Sequence, residues 1–186
     1  MASCIREVVE ALIKKLQSDV TQHTVLVPLN DYYEVKHTPS LLVIGPKLDE
    51  NRSKRNSEKR VEVDRDNLSY TERNWPRYYH LDFDFVLTAD NGAALLDLQE
   101  KVIAFFLDNR EIATADCVFK LREMIPIGGL DRPNLSNLRQ ASGRYRIEDV
   151  EVFDHDVFDG KIVLYRNFRL CDLDSHRLIE TYKPDE

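Results

Sequence analysis

Hydrophobic and polar residues alternate along the chain with two periods, and each period marks a different kind of element. Near the start, Ile5, Val8, Val9, Leu12, Ile13 and Leu16 recur at helical spacing, while Glu7, Glu10, Lys14, Lys15 and Gln17 take the opposite side. This spacing predicts an amphipathic helix over residues 3–18, with Ser3 as its N-cap. A second helix is predicted over 94–108, opened by Asp90-Asn91-Gly92 with Asp90 as the N-cap. Leu95, Leu98, Val102, Phe105 and Phe106 form its main stripe. Leu96, Ile103 and Leu107 widen that stripe, so this helix is expected to be heavily buried.

The clearest strand lies between the helices. Tyr79, Leu81, Phe83, Phe85, Leu87 and Ala89 alternate with Tyr78, His80, Asp82, Asp84, Val86 and Thr88. Apolar-in, polar-out alternation of this length predicts a half-solvated antiparallel strand. Ser40-Leu41-Leu42-Val43-Ile44 is continuously apolar up to Gly45-Pro46, the pattern of a strand covered on both faces. Val25-Leu26-Val27 runs into Pro28, whose ring removes a ladder donor and so predicts a short or edge strand. Residues 117–122 and 124–127 read as a mixed strand, and Gly128-Gly129 as the turn after it. Residues 145–153 and 161–170 read as two strands of a hairpin joined through Asp159-Gly160. The polar tail, 172–186, has room for one helical turn.

Residues 47–76 break this pattern. Half of these 30 residues are charged and few are apolar. Such a stretch cannot offset its ordering entropy by forming a core, so it is expected to be a long mobile connection or an extended hairpin arm. The whole chain is then one α+β domain, 1–186: a mostly antiparallel sheet, two helices packed on one face, a charged arm and a tail.

Composition narrows the function classes. The chain has 186 residues, with 26 Lys plus Arg against 33 Asp plus Glu, for a formal net charge of −7. That average field argues against a general binder of nucleic acid or of an anionic membrane surface. No apolar run approaches the roughly 20 residues of a membrane span, and no signal-peptide pattern opens the sequence. Cys4, Cys117 and Cys171 are odd in number and far apart, so they give neither a disulfide framework nor paired metal-ligand spacing. Cys117 and Cys171 fall on strands, where a buried thiol acts as a small hydrophobe; a non-catalytic thiol is also expected at Cys4.

Three constellations have chemical potential. His80, Asp82 and Asp84 share one strand face, where an imidazole and two carboxylates suit a divalent metal and hydrolysis. The wet face of a half-buried strand needs polar residues in any case. Asp154-His155-Asp156 with Asp159-Gly160 has the acids of a calcium loop, but its glycine and its final position miss the required spacing. An acidic hairpin tip that binds a basic partner is the remaining reading for Asp154, Asp156 and Asp159. Arg52, Lys54, Arg55, Lys59 and Arg60 make a basic patch in an acidic chain, with Trp75 close behind. Basic side chains beside an exposed aromatic suit an assembly interface; a solvated loop balanced by Glu50, Glu58, Glu62 and Asp64 would look the same. No G-x-S-x-G, P-loop, H-E-x-x-H or G-x-G-x-x-G occurs.

The order of elements resembles that of phage tail terminator (tail-completion) proteins of lambda-like phages and Mu-like prophages. The resemblance rests on the amphipathic helix 3–18 and on the strands 40–46 and 77–89 flanking a charged arm. It rests also on Leu87-Thr88-Ala89-Asp90 running into the helix 94–108, and on the closing hairpin 145–170 with Arg166-x-Phe168-x-Leu170. It implies a non-enzymatic structural protein of tail assembly, without cofactor or metal, in the host cytoplasm and the virion tail. It implies a homo-hexameric ring that caps the tail tube and meets the head connector. The alternatives from the residues are a metal-dependent hydrolase or nuclease using His80, Asp82 and Asp84, or a cytoplasmic adaptor for a basic partner.

Overall fold

The computed structural model describes residues 4–31, 33–115, 117–129, 138–153, 157–162, 168–171 and 178–182. In chain order the elements are α1 (Cys4–Asp19), β1 (Thr24–Val27), β2 (Ser40–Glu50), a short 3-10 turn (Arg52–Lys54), β3 (Lys59–Asp64), β4 (Ser69–Asn74) and β5 (Arg77–Ala89). There follow α2 (Gly92–Asp108), β6 (Glu111–Ala113), β7 (Val118–Gly129), β8 (Arg139–Val152), β9 (Val157–Lys161), β10 (Phe168–Cys171) and β11 (Leu178–Tyr182). Contacts group them into two compact units. The main unit is Met1–Asn56 with Pro76–Phe153, and the arm unit is Ser57–Trp75 with Asp154–Glu186.

The main unit is a six-stranded sheet in the order β1-β2-β5-β8-β7-β6. β1 pairs with β2 in parallel, and every other neighbour pair is antiparallel. This is the expected α+β architecture with both helices on one face. Val8, Leu12 and Leu16 of α1 and Leu98, Val102 and Phe105 of α2 share one core with Leu81, Phe83, Phe85 and Leu87 of β5 and with Tyr145 and Ile147 of β8. The alternation read along β5 puts its four large apolar side chains at 0 % exposure. Phe85, Phe106 and Tyr145 form an aromatic cluster beneath α2, with Phe106 and Tyr145 stacked at 7°. Tyr145 donates to Glu123 over 3.1 Å, which satisfies its hydroxyl within this core. Burial, and then the charge of Glu123, push its pKa far up, so the ring stays neutral.

Two glycines allow close approach of backbones. Gly45 sits at φ +137 inside the bulge between Ile44 and Lys47, where an added Cβ would lie 2.8 Å from the Asp82 carbonyl oxygen. At Gly143 a Cβ would meet Ile127 at 2.8 Å.

The arm unit holds a three-stranded sheet, β3-β4-β9, and an antiparallel pair, β10-β11. Of residues 47–76, expected to be a mobile connection or a hairpin arm, 47–50 continue β2 and the 3-10 turn lies in the main unit, whereas β3 and β4 form an extended hairpin. Its turn is closed by the Asp64 carboxylate, which accepts from Asn67 Nδ2 at 2.7 Å and from the backbone N–H groups of Asp66 and Asn67.

Several sequence expectations are corrected. The strand after β8 does not fold back on it as a hairpin: β9 pairs with β4. Gly128 and Gly129 stay in β7, opposite Ser142 and Ala141. The cap of α2 is Asn91, whose side chain accepts from Ala94 N at 2.9 Å, because Asp90 is held by the Thr38 hydroxyl. α2 is less buried than its composition implied: Leu96, Ile103 and Leu107 are exposed. In the tail, residues 178–182 form β11 where a helical turn was allowed for. Ser3 and the tip residues Asp154, His155 and Asp156 lie outside the described residues.

Candidate assembly surface

The outer face of the main sheet is built by register. β5 offers Asp82 and Asp84 at alternate positions, and β8 places Arg146 and Arg144 directly opposite them. Arg146 donates to both Asp82 oxygens at 2.6 and 2.8 Å, and Arg144 to both Asp84 oxygens at 2.6 and 3.2 Å. These forks are the favoured geometry for guanidinium on carboxylate. The Asp82–Arg146 side chains are only 15 % and 20 % exposed, against 43 % and 46 % for Asp84–Arg144, so the first pair is the less screened by solvent. Arg146 holds the Asp82 carboxyl below its usual range chiefly through these hydrogen bonds.

Third in the row, His80 sits beside Asp149 of β8. Its Nδ1 accepts from the Asp149 backbone N–H at 3.3 Å. Asp149 also receives Asn51 Nδ2 and Lys54 Nζ, each at 2.8 Å. Burial pushes the Asp149 carboxyl up, but hydrogen bonds from Lys54 and Asn51 prevail and hold it below its ordinary value. His80, Asp82 and Asp84 thus line up as the period of two required. Their neighbours are arginines and a lysine, and the carboxylate oxygens a divalent metal would ligate already accept from guanidinium. Among the described residues no group of three His, Cys, Asp or Glu side chains has the arrangement of a metal site. Arg144 and Arg146 were missed by sequence reasoning. Their signal is the Arg-x-Arg spacing, which matches Asp-x-Asp only once β5 and β8 are known to pair.

The six proposed interface residues divide between the two units. Arg52, Lys54 and Arg55 belong to the main unit, in and just after the 3-10 turn. Lys54 is committed to Asp149, and its ammonium lies 5.0 Å from the centre of the Tyr78 ring. Arg55 stands 4.0 Å from Glu50. Lys59, Arg60 and Trp75 belong to the arm unit. Lys59 pairs with Glu72, Arg60 reaches Glu62 at 3.1 Å, and Trp75 is exposed.

The arm sheet has two unlike faces, because directly opposed residues share a side. One face carries Lys59-Asn74, Val61-Glu72-Phe158 and Val63-Tyr70-Gly160 as cross-strand rows, with Lys59 paired to Glu72 at one end and the apolar side chains at the other. The other carries Arg60-Arg73-Val157, Glu62-Thr71-Asp159 and Asp64-Ser69-Lys161. On the polar face Arg73 donates to Glu62 at 2.8 Å and Thr71 to Asp159 at 2.9 Å. On the apolar face Val61, Val63 and Phe158 are 52 %, 54 % and 60 % exposed. Gly160 lies against the Tyr70 ring, which leaves no room for a Cβ there.

Of the cysteines, Cys117 was expected on a strand but lies just before β7, and it is half-buried. Cys4 opens α1 and Cys171 closes β10.

Neither a protein-family model nor a curated protein matches the chain. Solved structures do. One is the sheath/tube terminator, in the extended state, of an extracellular contractile injection system (PVC). It is 17 % identical, with a TM-score of 0.54, over 90 % of this chain and 63 % of that one. The chain has the fold of a tube terminator. A second is the tube-terminating cap of an anti-feeding prophage (AFP), 15 % identical, with a TM-score of 0.45, over 80 % of this chain and 55 % of that one. The chain spans less than two thirds of the length of the solved terminator it matches.

Proposed function

We propose that this chain is a non-enzymatic structural protein of a phage or prophage tail, which closes the end of the tail tube as a homo-hexameric ring and joins it to the head connector. The observation that carries this reading is the likeness of fold to a sheath/tube terminator over 90 % of the chain. Three features support it. The carboxylates with the most enzyme-like spacing, Asp82 and Asp84, are taken up by arginines in a cross-strand ladder. The arm unit offers a sheet face on which Val61, Val63 and Phe158 are exposed, which suits contact with another subunit. A ring of copies each carrying −7 has an average field that opposes tight DNA binding, which suits a passage for DNA. The ring assembles in the host cytoplasm and remains in the finished tail.

The test is absolute mass by light scattering over a concentration series. The expected result is a species of six chains, or a smaller one that moves to it as concentration rises. A monomer at every concentration, with and without assembled tube, would contradict the ring.

A further inference from the structure

In the order β3-β4-β9, both outer strands have one neighbour among the described residues, so each has a row of N–H and C=O groups that no described strand pairs. Both run antiparallel to β4 and therefore parallel to each other. Exposed edges of this kind recruit another strand unless something covers or blunts them. β3 has no proline and alternates apolar with charged residues, Lys59-Arg60-Val61-Glu62-Val63-Asp64.

We propose that β3 of one copy pairs in parallel with β9 of the next, so that the arm sheets join edge to edge into a continuous sheet around the assembly. This rests on the ring reading above. A rotation that closes a ring preserves the sense of each strand, and it brings unlike edges together, one edge of each copy against the other edge of its neighbour. Two strands of the same sense then meet with their apolar faces on the same side.

Charge fixes the register. Setting Arg60 beside Asp159 of the next copy also sets Glu62 beside its Lys161, giving two opposite-charge pairs on the polar face. On the other face the same register puts Lys59 beside Phe158 and Val61 beside Gly160. A shift of two residues one way places Glu62 against Asp159, leaving Asp64 beside Lys161 as its one opposite-charge pair, and the other way places Arg60 against Lys161; both bring like charges together and neither keeps two opposite-charge pairs. A shift of one residue turns the apolar face of one sheet onto the charged face of the other. Within the chain Arg60 binds Glu62, but Glu62 keeps Arg73, so Arg60 is released at no loss of pairing to Glu62.

The test uses the full chain with Cys4, Cys117 and Cys171 replaced by serine, carrying Arg60→Cys and Asp159→Cys together. In one copy these positions lie on strands separated by β4, beyond the 4.4–6.8 Å that a disulfide usually spans between Cα atoms. Mild oxidation should give a ladder of covalent multimers. Mixing the two single-cysteine chains should give dimers only. Arg60→Asp should weaken association about tenfold, and adding Asp159→Arg should restore it, the monomers keeping the unfolding midpoint of the parent. Oligomers by light scattering without cross-linking would overturn the edge pairing and leave the ring standing. Dimers from Arg60→Cys alone would show a β3–β3 contact and overturn the pairing. No oligomer and no cross-link at any concentration, with and without assembled tube, would overturn both.

Discussion

The two units of this chain hold their strands together by different means. In the main unit, β5 and β8 bury Leu81, Phe83, Phe85, Leu87, Tyr145 and Ile147 beneath two helices, and the Asp82–Arg146 and Asp84–Arg144 ion pairs line the opposite face. In the arm unit, all six residues of β3 are exposed, and β4 and β9 contain no fully buried residue. The arm's strands are held by backbone ladders and by pairs such as Arg73–Glu62 and Thr71–Asp159. Cross-strand pairs are worth about 0.2–1 kcal/mol each, whereas burial of one large apolar side chain contributes about 1.5–3 kcal/mol. The main unit therefore has the larger source of stability, and the three-stranded arm sheet the smaller, which is the contrast the proposed edge pairing would offset.

Mutations that break this contrast should differ in size accordingly. Phe85→Ala removes a side chain at 0 % exposure from the aromatic cluster and should cost about 3–5 kcal/mol, read as a shift in the urea midpoint at constant slope. Gly45→Ala forces a β-carbon against the Asp82 carbonyl at a positive φ and should cost about 2–3 kcal/mol by the same measurement. Asp82→Asn should cost about 1–2 kcal/mol, since Arg146 keeps a second carboxylate, Asp49, at 3.6 Å.

The same aspartates give a pH dependence. Asp82 and Asp149 both have folded-state pKa values below their unfolded ones. Their contribution is therefore present in full well above the unfolded value of about 3.9 and is lost as pH falls through their lower folded values. The acid limb of a stability–pH profile should flatten in Asp82→Asn. The smallest effect belongs to the arm. Val63→Ala in dilute protein should change the stability of the main unit by less than about 0.5 kcal/mol, as an exposed position does. A cost as large as that of Phe85→Ala would erase the contrast.

Much of the main unit was legible from sequence because its signals are local. The alternation of β5 and the stripe of α1 need only a few neighbouring residues. What the sequence hid depends on distant pairing. Arg144 and Arg146 become partners of Asp84 and Asp82 through a register set 60 or more residues away. β9 leaves β8 for β4 because its pairing is likewise a tertiary choice, made between elements separated by about 90 positions. Leu96, Ile103 and Leu107 were expected in the core because apolar character marks what burial favours without saying which side of a helix has neighbours. The charged run 47–76 was legible as unlike the rest, but its division between β2, the 3-10 turn and a hairpin was not, and the two faces of the arm sheet appear only when β3, β4 and β9 are set in register.

The most direct measurement is amide hydrogen exchange at two protein concentrations, one dilute and one that favours assembly. In dilute protein the amides of β5 and β8 should exchange near the rate set by global unfolding, while those of β3 and β9 exchange much faster. On assembly, β3 and β9 should gain protection and β5 should not change. Equal protection of β3 and β5 in the dilute protein would contradict the account, because the arm would then be a stable body with no need of a partner.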